Sequence, residues 1–112
     1  MRLEEATAAL LEIRKGEGPE KELWEKARGE FAYVLFANAD EGSIRAALEL
    51  DVGDVLPVDL KRAAYERLLE AGRRSPQDLK NYAWYLQLHG PEWDTYADAL
   101  LEEAEESTGN DA

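Results

Sequence analysis

The sequence contains no cysteine in its 112 residues. That absence excludes disulfides, thiolate metal sites and cysteine nucleophiles together, and it fits a reducing, cytoplasmic setting. Histidine is nearly absent as well. With His89 alone, the Glu-x-x-His pairs of a di-metal helical bundle cannot be built. No run of about 18 apolar residues occurs. Glu4 and Glu5 precede the first apolar face, so neither a membrane span nor a secretory leader is expected. Four prolines and eight glycines cluster at a few places, which leaves long intervals free for helices. No interval alternates polar and apolar residues long enough to force a strand.

Basic residues are scarce relative to acidic ones. Thirteen Lys and Arg stand against 25 Asp and Glu, a formal net charge of −12. Such a field repels a phosphate backbone and an anionic bilayer, so neither nucleic acid nor a membrane is expected as partner. A basic peptide or protein face would be attracted, although an acidic surface that serves only solubility gives the same count. Hydrophobic residues reach 45%, enough for a folded chain, and the length suits one core better than two independent ones.

Helical periodicity covers most of the chain. Leu3, Ala6, Leu10 and Ile13 lie on one face of a helix that runs to about Lys15, with Arg14 and Lys15 where the dipole favours positive charge. Gly16 and Gly18 stop it, and Pro19 opens a second helix to about Ala37, with Leu23, Trp24, Ala27, Phe31, Val34 and Leu35 as its apolar face. Gly29 interrupts that helix and offers a close approach or a bend. Phe31–Phe36 taken alone also reads as a strand; the helical pattern upstream favours helix. Ser43 is placed as the cap of a short helix to Leu50, with Ile44, Ala47, Leu48 and Leu50 itself as the inward candidates. Residues 51–58 form an irregular connection, apolar enough at Val52, Val55, Leu56 and Val58 to suggest packing across a groove or on the bundle. Asp59 is placed as the cap of a fourth helix with Leu60, Ala64, Leu68 and Ala71 inward, ended by Gly72. Ser75, Pro76 and Asp78 form a strong start signal for a fifth, carrying Leu79, Tyr82, Ala83 and Leu86 inward. Pro91 sets up the last, with Ala97, Leu100, Leu101 and Ala104 inward. The expected fold is all-α, a compact right-handed array of five or six short helices in one domain over residues 1–106, with a frayed tail at 107–112.

An internal repeat runs through the second half. Ala64, Leu68 and Ala71 match Ala97, Leu101 and Ala104 at a shift of 33 residues. Small residues seven apart allow close helix contacts while the larger one between them fills the gap. From Ala64 to Ala104 the chain resembles the second helix of one tetratricopeptide repeat followed by a complete next repeat. Pro76 stands at the inter-repeat turn, and Tyr82, Trp84, Tyr85 and Leu86 resemble the aromatic-rich first helix. The sequence departs from the family where Tyr85 or Leu86 replaces the first-helix glycine, and the first 40 residues fit no copy. The resemblance implies tetratricopeptide-like hairpins over residues 59–106, capped by the helices of residues 1–50, and a protein or peptide partner.

Little in the sequence suggests chemistry. His89 precedes Gly90 and Pro91 at a helix end, where a structural role explains it. Carboxylate pairs at i,i+4, such as Asp94 with Asp98, Glu102 with Glu106 and Glu66 with Glu70, are what 25 acids in 112 residues produce by chance. No calcium loop, phosphate loop or serine elbow is present, so no metal, cofactor or catalytic activity is expected. The aromatics carry more information. On an ideal helix Tyr82 and Tyr85 lie about 60° apart, with Trp84 about 160° from Tyr82 and about 100° from Tyr85, so the three cannot share one core. The candidate binding residues are Trp84, Tyr85, Trp93 and Tyr82, with Arg73 and Arg74 nearby. They line either a peptide groove or inter-helix core with a dimer seam. The leading reading is a protein-interaction or scaffold module. Its alternatives are a self-associating homodimer and an acidic inhibitor or antitoxin-like protein that holds a basic partner.

Overall fold

The computed structural model describes residues 2–13, 20–37, 39–52 and 55–109. The basic pair Arg14 and Lys15, the stop at Gly16 and Gly18, the Pro19 start, Gly53 and residues 110–112 lie outside them. Among the described residues all regular structure is helical: six α-helices and a 3-10 turn. The chain divides into two compact units, Met1–Arg67 and Leu68–Ala112.

In the first unit, α1 (Leu3–Glu12) packs against α2 (Lys21–Ala37) and α3 (Glu41–Leu50). Leu3, Ala6 and Leu10 are buried at helical spacing, and Thr7 is buried beside them because its hydroxyl donates to the Leu3 carbonyl at 2.8 Å. In α2, Ala27, Phe31, Val34 and Leu35 are buried. Burial of the fully covered Phe31 contributes about 2–3 kcal/mol. Phe31–Phe36 is helical, so the apolar run follows the period of the segment upstream. Leu23 departs from the expected face and is exposed. Gly29 does not mark a close approach either, since a Cβ there would meet nothing within 4 Å.

The cap of α3 is Asp40, not Ser43. The Asp40 carboxylate accepts from the Ser43 amide at 2.8 Å, and Ser43 becomes the third helical residue. The carboxylate outcompetes a hydroxyl because it brings a full charge to the positive helix end. The fourth helix, α4 (Val58–Ala71), likewise starts ahead of its expected cap. The Pro57 carbonyl accepts from the Lys61 amide at 2.9 Å, and Asp59 sits inside the first turn. The connection before it does not pack down as its composition suggested. Leu56 is buried, whereas Val52, Val55 and Val58 are exposed.

The second unit holds the end of α4, then α5 (Pro76–Leu88), the 3-10 turn Pro91–Trp93 and α6 (Asp94–Gly109). The Ser75 hydroxyl accepts from the Asp78 amide at 3.3 Å with Pro76 next to the cap, as the start signal requires. The last turn of α4 closes without left-handed glycine. Arg73 and Arg74 take that conformation themselves, at φ 56° and 54°. Gly90 is favoured by its backbone, whose φ of 150° is one that residues with a side chain rarely adopt. α5 and α6 pack against each other through Leu79, Tyr82, Ala83 and Leu86 on one helix and Ala97, Leu100 and Ala104 on the other, all buried. α6 continues to Gly109, so its backbone is helical past Ser107, where fraying was expected.

The repeated triplets do not occupy matching environments. Ala64 and Leu68 are buried but Ala71 is exposed, while Ala97 and Ala104 are buried and Leu101 is only partly covered. Equal spacing along two helices fixes equal angles, and each helix's neighbours then decide which of those angles is inside.

Candidate functional site

The six candidate residues separate into an inner and an outer set. Tyr82 is fully buried and meets Tyr96 edge to face, with ring centroids 5.8 Å apart. Tyr85 is also buried, and its ring stands edge to face with His89 at 4.3 Å. These two tyrosines fasten the α5 core, and His89 ends the helix by donating its amide to the Leu86 carbonyl at 3.1 Å. Trp93 is partly covered in the 3-10 turn. Trp84 points the other way and is 50% exposed. This is what the angular spread predicted: a helix cannot bury residues about 160° apart against a single neighbour.

Leu88, one turn beyond Trp84, is 77% exposed and was not among the candidate residues. The signal for it was available, because i and i+4 share a helix face. Gln77 and Asn81 continue the same face toward the helix start, both exposed, with the Gln77 amide nitrogen donating to Asn81 Oδ1 at 2.9 Å. The fully exposed residues of α5 are uncharged, Lys80 one turn before Trp84 is partly exposed, and Asp78, the helix's one acid, is buried. An outward face with an exposed tryptophan and no exposed carboxylate stands out on a chain of charge −12, and tryptophan is enriched at interface cores.

The two arginines behave differently from a binding pair. Arg74 donates to both carboxylate oxygens of Glu103 on α6, at 2.5 and 2.7 Å. Those hydrogen bonds hold the Glu103 carboxyl below its ordinary range; partial burial opposes the shift and the Arg74 charge adds to it. Arg73 is exposed at the adjoining left-handed position. The outward residues of α6, including Asp94, Asp98, Glu102 and Glu106, form an acidic surface with no Lys or Arg in the helix.

One polar constellation escaped the sequence reading altogether. Asp51 and Lys61 are buried together in the first unit, with Asp51 Oδ2 2.9 Å from Lys61 Nζ. Asp51 Oδ1 also accepts from the amides of Val55 and Leu56, at 2.6 and 3.2 Å. The carboxylate therefore ties the end of α3, the connection and the first turn of α4 into one knot. Its trace in the sequence is Lys61, which shares the i, i+3, i+7 stripe of Ala64 and Leu68. A lysine on an apolar stripe is rarely buried unless it is paired. Nearby, Arg28 and Asp59 form an exposed pair at 2.5 Å, and Arg67 lies over the exposed Phe36 ring at 5.7 Å. Burial resists ionisation of Asp59, but the Arg28 hydrogen bond and charge outweigh it and lower that carboxyl.

Among the described residues, no group of three or more His, Cys, Asp or Glu side chains gathers to hold a metal ion. Among them, too, no helix is long and apolar enough to cross a membrane. No protein-family model, curated protein or solved structure matches the chain.

Proposed function

We propose that this chain is a non-catalytic protein-interaction module whose α5–α6 pair acts as a tetratricopeptide-like hairpin. The observation that carries the reading is the outward face of α5, where Trp84 and Leu88 stand exposed one turn apart. Tryptophan in such a setting is a typical binding anchor, because it brings a large apolar area at a small entropic cost. The tetratricopeptide-like part rests on the Ser75-Pro76 turn, the aromatic α5 and the small residues Ala97 and Ala104 buried in α6.

A photo-crosslinking residue at position 88 tests this reading. The expected result is a discrete adduct that disappears when Trp84→Glu is added and is missing when the probe is placed at position 98 on α6. No adduct at position 88, or one indifferent to Trp84, would sink the reading.

A second reading has its own support in the acidic surface of α6. Its six acids and lack of bases suit a basic partner, as an inhibitor or antitoxin would offer. Binding of that kind weakens steeply as salt is raised, so a complex unaffected by salt argues against it.

A further inference from the structure

At the corner between α4 and α5 the glycine and the left-handed backbone are out of step. Helices commonly close on a left-handed glycine, with the next amide turned back onto a carbonyl of the last turn. Gly72 stands at the end of α4, yet among the described residues the only positive-φ glycine is Gly90. Gly72 still bonds as helix, its amide donating to the Leu68 carbonyl at 2.7 Å. The closure falls one residue later. The Arg74 amide donates to the Leu69 carbonyl at 2.7 Å, which puts Arg73 at the left-handed closing position. Arg74 follows it into the same region, at φ 54°. Each left-handed residue that carries a side chain is disfavoured about 5- to 30-fold against ordinary backbone.

A less strained closure lies one step back. With Gly72 left-handed, the Arg73 amide meets the Leu68 carbonyl, α4 ends a residue earlier, and both arginines return to ordinary backbone. Backbone preference alone favours that register. What opposes it comes from α6. Arg74 Nε and Nη2 donate to the two oxygens of Glu103, at 2.5 and 2.7 Å. A two-pronged fork of this kind fixes the direction of the guanidinium as well as its position. Turning the Arg74 backbone out of the left-handed region swings that side chain away, so the fork does not survive the step.

We infer that the α4–α5 corner is a two-register switch, in which the Glu103 fork holds Arg73 and Arg74 left-handed and its release passes the closure back to Gly72. The inference goes beyond the interaction-module reading and does not depend on it. Arg74 is a positioning residue here, and Glu103 is the contact through which α6 sets the end of α4. All of these groups belong to the second unit. An exposed ion pair shifts such a balance by up to about fivefold, enough to move a minor register in and out of view. A guanidinium or ammonium group from outside that takes Glu103 away from Arg74 acts on the corner as loss of the Glu103 charge does.

The test is solution NMR of residues 72–74 in the whole chain. Cα shifts and amide–α couplings report φ, and saturation transfer detects a minor register in slow exchange. In the unsubstituted chain Arg73 is expected to be left-handed and Gly72 helical. Glu103→Gln, with its helical circular dichroism unchanged, is expected to raise the population with Gly72 left-handed by about fivefold. Gly72→Ala blocks that register and is expected to remove it, both alone and together with Glu103→Gln. Arg73→Gly takes the strain out of the observed register, so it is expected to suppress the minor one even beside Glu103→Gln. A left-handed Gly72 as the main form, equal populations with and without the Glu103 charge, or a minor register that survives Gly72→Ala would each overturn the inference. So would an Arg73→Gly variant that leaves the Glu103→Gln population where it was.

Discussion

The two units of this chain are held together by different means. The first, Met1–Arg67, has a buried charged knot in which Asp51 receives two backbone amides and the Lys61 ammonium. It also leaves most of the exposed large apolar side chains on its surface, seven of the nine among the described residues. The second, Leu68–Ala112, relies on strong local signals and small residues: a Ser75 cap, a left-handed glycine at Gly90, and Ala97 and Ala104 buried between α5 and α6. Its one ion pair described above, Arg74 with Glu103, is solvent-accessible. The difference is one of burial. The ion pair described in the second unit stays accessible to solvent, whereas the first unit closes an aspartate and a lysine together in its interior.

The largest expected effect strikes that knot. Asp51→Ala takes the buried carboxylate away from the Lys61 ammonium and two amides, and a loss of about 3–5 kcal/mol is expected in urea unfolding. Arg74→Ala, which breaks the exposed pair, is expected to cost at most about 1 kcal/mol. Equal losses from the two would erase the contrast between the units.

The next comparison concerns the repeated alanines. Ala104→Leu overfills the α5–α6 contact and is expected to destabilise by about 1–3 kcal/mol. Ala71→Leu, at the matching position of the repeat, is expected to change stability by no more than about 0.5 kcal/mol, because Ala71 is exposed. Similar penalties at both sites would mean that the repeat is symmetric in packing as well as in spacing.

Gly29 gives a smaller effect of opposite sign. It sits inside α2 with open space around it, so Gly29→Ala is expected to stabilise by about 0.5–1 kcal/mol, read as a higher urea midpoint. A loss of stability there would restore the close-packing role that the structure denies it.

The smallest effects are titrations. Asp40, Asp59 and Glu103 all have carboxyls held below their ordinary values. For Asp40 the Ser43 amide is the main cause. A depressed folded-state pKa stabilises the fold above the unfolded value, near about 4, and that contribution is lost as pH falls through the folded value. Urea midpoints should therefore hold steady from pH 7 to about 5 and fall below about 4. Asp59→Asn and Glu103→Gln should each flatten that acid limb slightly, one in each unit. An acid limb unchanged in both variants would show that neither pair contributes.

Where the sequence was legible, short-range rules were at work. The start of α5 was readable because Ser75, Pro76 and Asp78 act within one turn, and the inward set Leu79, Tyr82, Ala83 and Leu86 follows from periodicity alone. The outward turn of Trp84 was readable for the same reason, and Leu88 could have been added by the same rule. The cap of α3 was misplaced because Asp40 and Ser43 are both good caps three residues apart, and only the folded chain shows which one receives the amide. Leu23 and Val52 were expected inside and are exposed, because apolar character says that a residue may be buried, not that a neighbour will arrive to cover it.

By itself the sequence determined that this protein is helical, acidic, without cysteine and with a single histidine, since each follows from composition or from steps of 100° along a helix. The tertiary structure decided which of the equivalent positions went inside. It buried Ala104 and exposed Ala71, sank Tyr82 and Tyr85 while leaving Trp84 outside, and closed Asp51 onto Lys61. Those choices depend on which surfaces meet, and burial is a property of a pair of surfaces that one stretch of chain does not carry alone.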